Sequence, residues 1–199
     1  MIKYNIAPYS LWLCMGAALG LFAKYLDTVS VLDDIWWMVF LSYLGDLFTR
    51  LGVWIFLATF LAAYSHTQMK AAVHTFLFFI GMLISYYLYT LYLYGVFPTG
   101  YFMFWGSIAL LSPLLAVIVW RAKNSRTFSL ILPALPLGLM LSLSLGAGLF
   151  YLDIHYIEEF FMFIVLCAIF YRNPKQLAIL MISSFVFALF IDAVSPFHF

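Results

Sequence analysis

The chain has 199 residues, of which 67% are hydrophobic and 9% charged, and its net charge is +1. Soluble domains carry about 25% charged residues, so this composition cannot cover a water-facing surface, and lipid is the expected solvent for most of the exterior. Without a basic arm or a basic helix, the chain offers nucleic acid no electrostatic footprint.

A membrane-crossing helix needs about 20 mostly apolar residues. The first such stretch is 7–24, where the apolar run passes through Gly16 and Gly20 to Lys24 without a clear cleavage site. A retained span is expected there, not a removable signal peptide. Residues Ile35 to Leu44 are very apolar but too short to cross, so Asp33 to Leu44 reads as an interfacial or re-entrant helix leading into the second span. Asp33 and Asp34 would cap it, and Trp36 and Trp37 suit the headgroup level. Further spans follow at 46–65, 71–95, 101–120 and 127–152. A shorter stretch, 155–171, carries Glu158 and Glu159 in its first turns, and the last span is 175–194. The expected fold class is all-α, a single polytopic transmembrane helix bundle over residues 1–199 with about seven spans.

Loop charge gives the orientation. With the N-terminus inside and the C-terminus outside, Lys3, Lys70, Arg121, Lys123, Arg126, Arg172 and Lys175 fall on the inner side. Only Lys24 and Arg50 among the cations fall outside, which is the positive-inside pattern. The acids, Asp27, Asp33, Asp34, Asp46, Asp153, Glu158, Glu159 and Asp192, then all lie at the outer face. The inner cations suit anionic headgroups of membrane lipids.

Small residues mark close helix contacts. Gly16 and Gly20 form a GxxxG step, Gly81 and Ser85 a shorter one, and Ala134, Gly138, Ser142 and Gly146 recur every four residues. These stripes serve either packing within one bundle or docking of a protein partner or a second copy. Pro113, Pro133 and Pro136 mark expected bends, where freed carbonyls need new partners.

The densest polar constellation is Asp153-Ile-His155-Tyr-Ile-Glu158-Glu159. On a helix, His155 and Glu159 would share a face with Glu158 beside it. Asp153, His155 and Glu159 offer ordinary ligands for a divalent cation, yet the second histidine of a zinc-enzyme helix is missing. A second constellation is Asp46 and Arg50, spaced as a helical ion pair. Aromatic rings beside carboxylates suit a cationic or planar ligand, and Trp36, Trp37, Trp54, Tyr86, Tyr87, Tyr151 and Tyr156 are candidates to line such a pocket. His66, Lys70 and His74 recur at four-residue spacing, as on one helical face. Cys14 and Cys167 lie in apolar runs without metal or redox spacing.

The stretches Leu44-Gly-Asp-Leu-Phe-Thr-Arg-Leu-Gly-Val-Trp54, Ile80-Gly-Met-Leu-Ile-Ser-Tyr-Tyr-Leu-Tyr89 and Tyr171-Arg-Asn-Pro-Lys-Gln176 resemble a family of small uncharacterised bacterial multi-pass membrane proteins. The resemblance covers much of the chain and implies a bacterial cell membrane, without assigning an activity. In size the chain is also similar to the substrate-binding membrane subunits of energy-coupling vitamin transporters. Those usually have six spans and both termini inside, so a seventh span departs from that pattern. The function expected is small-molecule binding or transport through an outward-facing acidic and aromatic cavity lined by Glu158, Glu159, Asp46, Arg50, His155, Trp36, Trp37 and Trp54. The rival readings are a metal-dependent membrane enzyme and a non-catalytic interaction, assembly or immunity protein.

Overall fold

The computed structural model of the protein describes residues 7–29, 35–147 and 152–194. Lys3, Asp33, Asp34 and Tyr151 lie outside the described residues, as does the side chain of Asp153. The chain is helical, with α1 (Ala7–Asp27), α2 (Trp36–Thr49), α3 (Leu51–Ala63), α4 (Gln68–Tyr94) and α5 (Thr99–Asn124) in order. A 3-10 turn (Phe128–Leu130) precedes α6 (Ala134–Ser144), and α7 (Ile157–Phe170) and α8 (Pro174–Val194) end the fold. Between α6 and α7, β1 (Leu145–Ala147) and β2 (Leu152–Ile154) pair antiparallel, Leu145 facing Ile154.

Four helices, α1, α4, α5 and α8, are long and apolar enough to cross a membrane, and the bent pair α2–α3 makes a fifth candidate. These helices mark the chain as a membrane protein. The expected spans 46–65 and 127–152 take a different form. The first is broken at Arg50, whose backbone is extended (φ −78°, ψ 144°), and its helix starts back at Trp36. The short segment before the second span is therefore part of a helix that runs on to Thr49. The stretch 127–152 is interrupted before Ala134 and leaves helix at Ser144, because Leu145 enters the hairpin. Gly146 thus belongs to β1 and drops out of the expected four-residue stripe.

The prolines are accommodated without a break inside α5 or α6. Pro133 is the N-cap of α6, and Pro136 falls in its first turn, where backbone N–H groups have no helical acceptor anyway. Pro113 sits inside α5 and cannot bond the Ala109 carbonyl four residues back. Ser112 Oγ donates to that carbonyl instead at 2.7 Å.

Two compact units form within the chain, one from residues 1–51 and 69–115, the other from 52–68 and 116–199. In the first, α1 and α4 run in the same direction in very close contact. A Cβ at Gly16 would overlap the Phe78 carbonyl, one at Gly20 the Met82 carbonyl, and one at Gly81 the Leu13 carbonyl. The GxxxG step is therefore filled from within the chain, by α4. Further along, Gly45 of α2 meets the Leu26 carbonyl, where a Cβ would lie at 3.0 Å. Phe22 and Phe48 meet edge to face, so α2 runs antiparallel to α1. His74 is buried between Tyr9 and Trp12, whereas His66 precedes α4, so the two do not share a helical face.

In the second unit α6 packs against α7 and α8. Gln176 Nε2 donates to the Ser129 carbonyl, Gly138 abuts Ser184 and Phe187, and Ser142 Oγ donates to Asp192 Oδ1. The order of these contacts makes α6 and α8 parallel. Gly138 and Ser142 are thereby used inside the unit, as Gly16 and Gly20 are in the other.

Candidate functional site

Glu159 is 1% exposed, the most deeply buried charged side chain among the described residues. It lies in the first turn of α7, and its carboxylate sits on Gly52 in the first turn of α3. A Cβ at Gly52 would lie 2.6 Å from Glu159 Cγ and 3.1 Å from Oε1, so only glycine leaves this space open. Gly52 and Glu159 each lie in the first turn of their helix, the end that favours negative charge. Glu158, next in the chain, is half-buried.

His155 does not join that face. The N-cap of α7 is Tyr156, whose extended backbone (φ −136°, ψ 112°) leaves His155 outside the helix. His155 is exposed, and its backbone N–H donates to the Ser144 carbonyl at 3.0 Å. The helical pairing of His155 with Glu159 is thus overturned by where the helix begins. Among the described residues no group of three or more His, Cys, Asp or Glu side chains is placed to hold a metal ion.

Asp46 is exposed, and its expected partner Arg50 makes a backbone contact. Arg50 Nε donates to the Asp46 carbonyl at 3.4 Å, and Thr49 Oγ1 donates to the same oxygen at 2.7 Å. That carbonyl loses its helical N–H because α2 ends at Thr49, so the two side chains cap the helix. Trp36 is 79% exposed and Trp37 also exposed, on α2, whereas Trp54 is 4% exposed inside the second unit.

A cluster that the sequence marks only through Tyr86 and Tyr87 lies in the first unit. Lys24, only 6% exposed, donates to Asp27 Oδ2 at 2.6 Å. Tyr86 OH donates to the same oxygen at 3.3 Å. The Lys24 ammonium lies 5.1 Å from the ring centroids of both Tyr86 and Tyr94. Beside it, Tyr87, Phe97 and Phe102 form a triangle of ring contacts at 5.8, 5.3 and 5.1 Å. An ammonium, a carboxylate and two aromatic faces thus form one cation-binding arrangement, occupied by the chain's own lysine. The three-residue spacing of Lys24 and Asp27 is visible in the sequence; their meeting with Tyr86 and Tyr94, two turns apart on α4, is not.

A third polar contact closes the far end of α8. Asp192 Oδ1 accepts from Ser142, while Oδ2 is buried with no hydrogen-bond partner. Two turns earlier, the Ser184 hydroxyl is fully buried and also unpaired. No protein-family model, curated protein or solved structure matches the chain.

Proposed function

We propose that the protein is an integral membrane small-molecule binding or transport protein whose acidic and aromatic end takes a cationic or planar ligand. The observation that carries this reading is Glu159, a carboxylate sealed in a lipid-soluble chain over a glycine that makes room for it. Ionisable groups at membrane depth are costly and are kept where they meet a substrate, an ion or a wet cavity. The broken pair α2–α3 and the short helices α6 and α7 fit the same picture. Irregular backbone at that depth is tolerated where it is buried in protein or lines a cavity, as in transporters.

The topology in this proposal is about seven passes, N-terminus inside and C-terminus outside, in a bacterial cell membrane. The parallel course of α1 and α4 supports it, since α2–α3 must then return the chain across the bilayer. Likewise α6 and α8 run parallel, so α7 must return between them. Its 14 residues span about 21 Å of helix, and flanking extended residues complete the crossing. The stretches that carry the family resemblance include the positions that the packing uses, Gly45 and Gly52, Gly81 and Ser85, and the Asn173-Pro174 start of α8.

The test is thermal stability of the detergent-purified protein against organic cations, vitamins and divalent metals, beside Glu159→Gln. A ligand at about 100 times its Kd raises stability by about 2.7 kcal/mol. An organic ligand that stabilises wild type and loses its effect in the variant is the expected result. Stabilisation by a divalent metal alone would move the reading to a metal-dependent enzyme. Equal behaviour of variant and wild type toward every compound would remove Glu159 from the site.

A further inference from the structure

The second unit gathers cations at the end opposite Asp192 and the hairpin. Three segments meet there, the 64–68 turn, the end of α5 and the start of α8. Trp120 Nε1 donates to the Ser65 carbonyl at 2.8 Å, and Arg121 Nε to Gln68 Oε1 at 3.4 Å. A terminal nitrogen of Arg172 donates to the Lys123 carbonyl, and the Lys123 ammonium lies 3.4 Å from the Tyr64 ring centroid. Asn173 Oδ1 accepts from Gln176 N at 2.8 Å, which fixes the first turn of α8 and with it Lys175.

Arg121, Lys123, Arg172 and Lys175 are therefore held on one clamped platform, with Arg126 in the turn that follows α5, and residues 64–68, 120–130 and 170–176 contain no acid to neutralise them. Arg121 and Arg172 each commit one nitrogen to the fold and are otherwise exposed. A guanidinium with free N–H groups is the natural partner of phosphate, which it binds through two parallel hydrogen bonds. Tyr64 and Tyr171, both exposed, stand beside these cations with the amphipathic rings typical of the headgroup level.

We infer that this platform binds the phosphate of an anionic lipid headgroup. A lipid and a soluble phosphate share the recognising chemistry, but the setting favours the lipid. The cations sit at the ends of the apolar helices α5 and α8, where the acyl chains of a bound lipid continue along the exposed Ile179, Ile182 and Val186 of α8. Recognition through arginine forks also differs from general charge attraction, because it is lost when arginine becomes lysine.

The experiment measures Tm of the full chain in neutral detergent with added phosphatidylglycerol, cardiolipin or phosphatidylcholine, and with inorganic phosphate or pyrophosphate at the same phosphate concentration. The anionic lipids should raise Tm, phosphatidylcholine and the soluble phosphates should not, and cardiolipin should co-purify. Arg126→Gln/Lys175→Gln, which removes exposed charge without touching a fold contact, should weaken the lipid effect by about fivefold per cation. Arg121→Lys/Arg172→Lys keeps the charge but loses the paired hydrogen bonds, and should weaken the preference over phosphatidylcholine. Equal stabilisation by phosphatidylcholine, an unchanged preference in both double variants, or full reproduction of the effect by inorganic phosphate would each overturn the inference.

Discussion

At the scale of single residues, burial and hydrogen bonding separate three polar groups by what they contact. Lys24 is held by Asp27 and by two tyrosine rings, so Lys24→Met should cost about 1–3 kcal/mol by leaving Asp27 and Tyr86 without their cation. A double-mutant cycle with Asp27→Asn checks this: the double variant should be closer to wild type than the sum of the two singles. Gly52→Ala should be destabilising because its Cβ would enter the space of Glu159, and pairing it with Glu159→Gln should leave that penalty in place, since glutamine has the same shape. The Ser184 hydroxyl is buried without a partner, so Ser184→Ala should raise stability by about 1 kcal/mol in denaturation measurements. A loss on that substitution would mean that the hydroxyl has a partner in solution. Of these groups only Glu159 stands out in the sequence, from its place at the head of a short apolar run. Its partner Gly52 comes from a distant part of the chain, and no spacing rule links them.

At the scale of elements, helix starts and stops follow local chemistry closely. Gly95, with φ +66°, ends α4 in the left-handed conformation that glycine adopts without penalty, and its N–H bonds the Leu91 carbonyl at 2.9 Å. Asn173 caps α8 with Pro174 in the first helical position, so Asn173→Ala should cost about 1 kcal/mol. Close helix crossings are set by the glycines. Gly16→Ala should cost about 1–3 kcal/mol because it drives α1 off the Phe78 carbonyl, while Gly100→Ala, with open space around it, should be near neutral. Comparing the two variants in the same denaturation assay checks the packing directly. The break at Arg50 was not legible. Apolar residues continue on both sides of it, and composition alone cannot distinguish a straight span from a bent one. The hairpin after Ser144 escaped for the same reason, since Leu145, Gly146 and Ala147 are as apolar as the helix before them.

At the scale of the whole molecule, the proposed topology predicts opposite sidedness for two exposed histidines. In a background lacking Cys14 and Cys167, His66→Cys should react with an impermeant thiol reagent only from the cytoplasmic side. His155→Cys should react only from outside, as measured in intact cells and inverted vesicles. Labelling of both from one side would reject the seven-pass count. Membrane character, the position of the long helices and the clustering of like charges in particular loops follow from the sequence by itself. Hydrophobic burial in lipid and loop charge depend on runs of neighbouring residues, and neighbours are what a sequence displays. Only the tertiary structure decided that Glu159 lies on Gly52, that Lys24 rests between Tyr86 and Tyr94, and that α4 and α8 occupy the small-residue faces of α1 and α6. Each of these depends on which helices meet and at what register, and in an apolar medium that choice is made by close packing and a few hydrogen bonds between residues far apart in the chain.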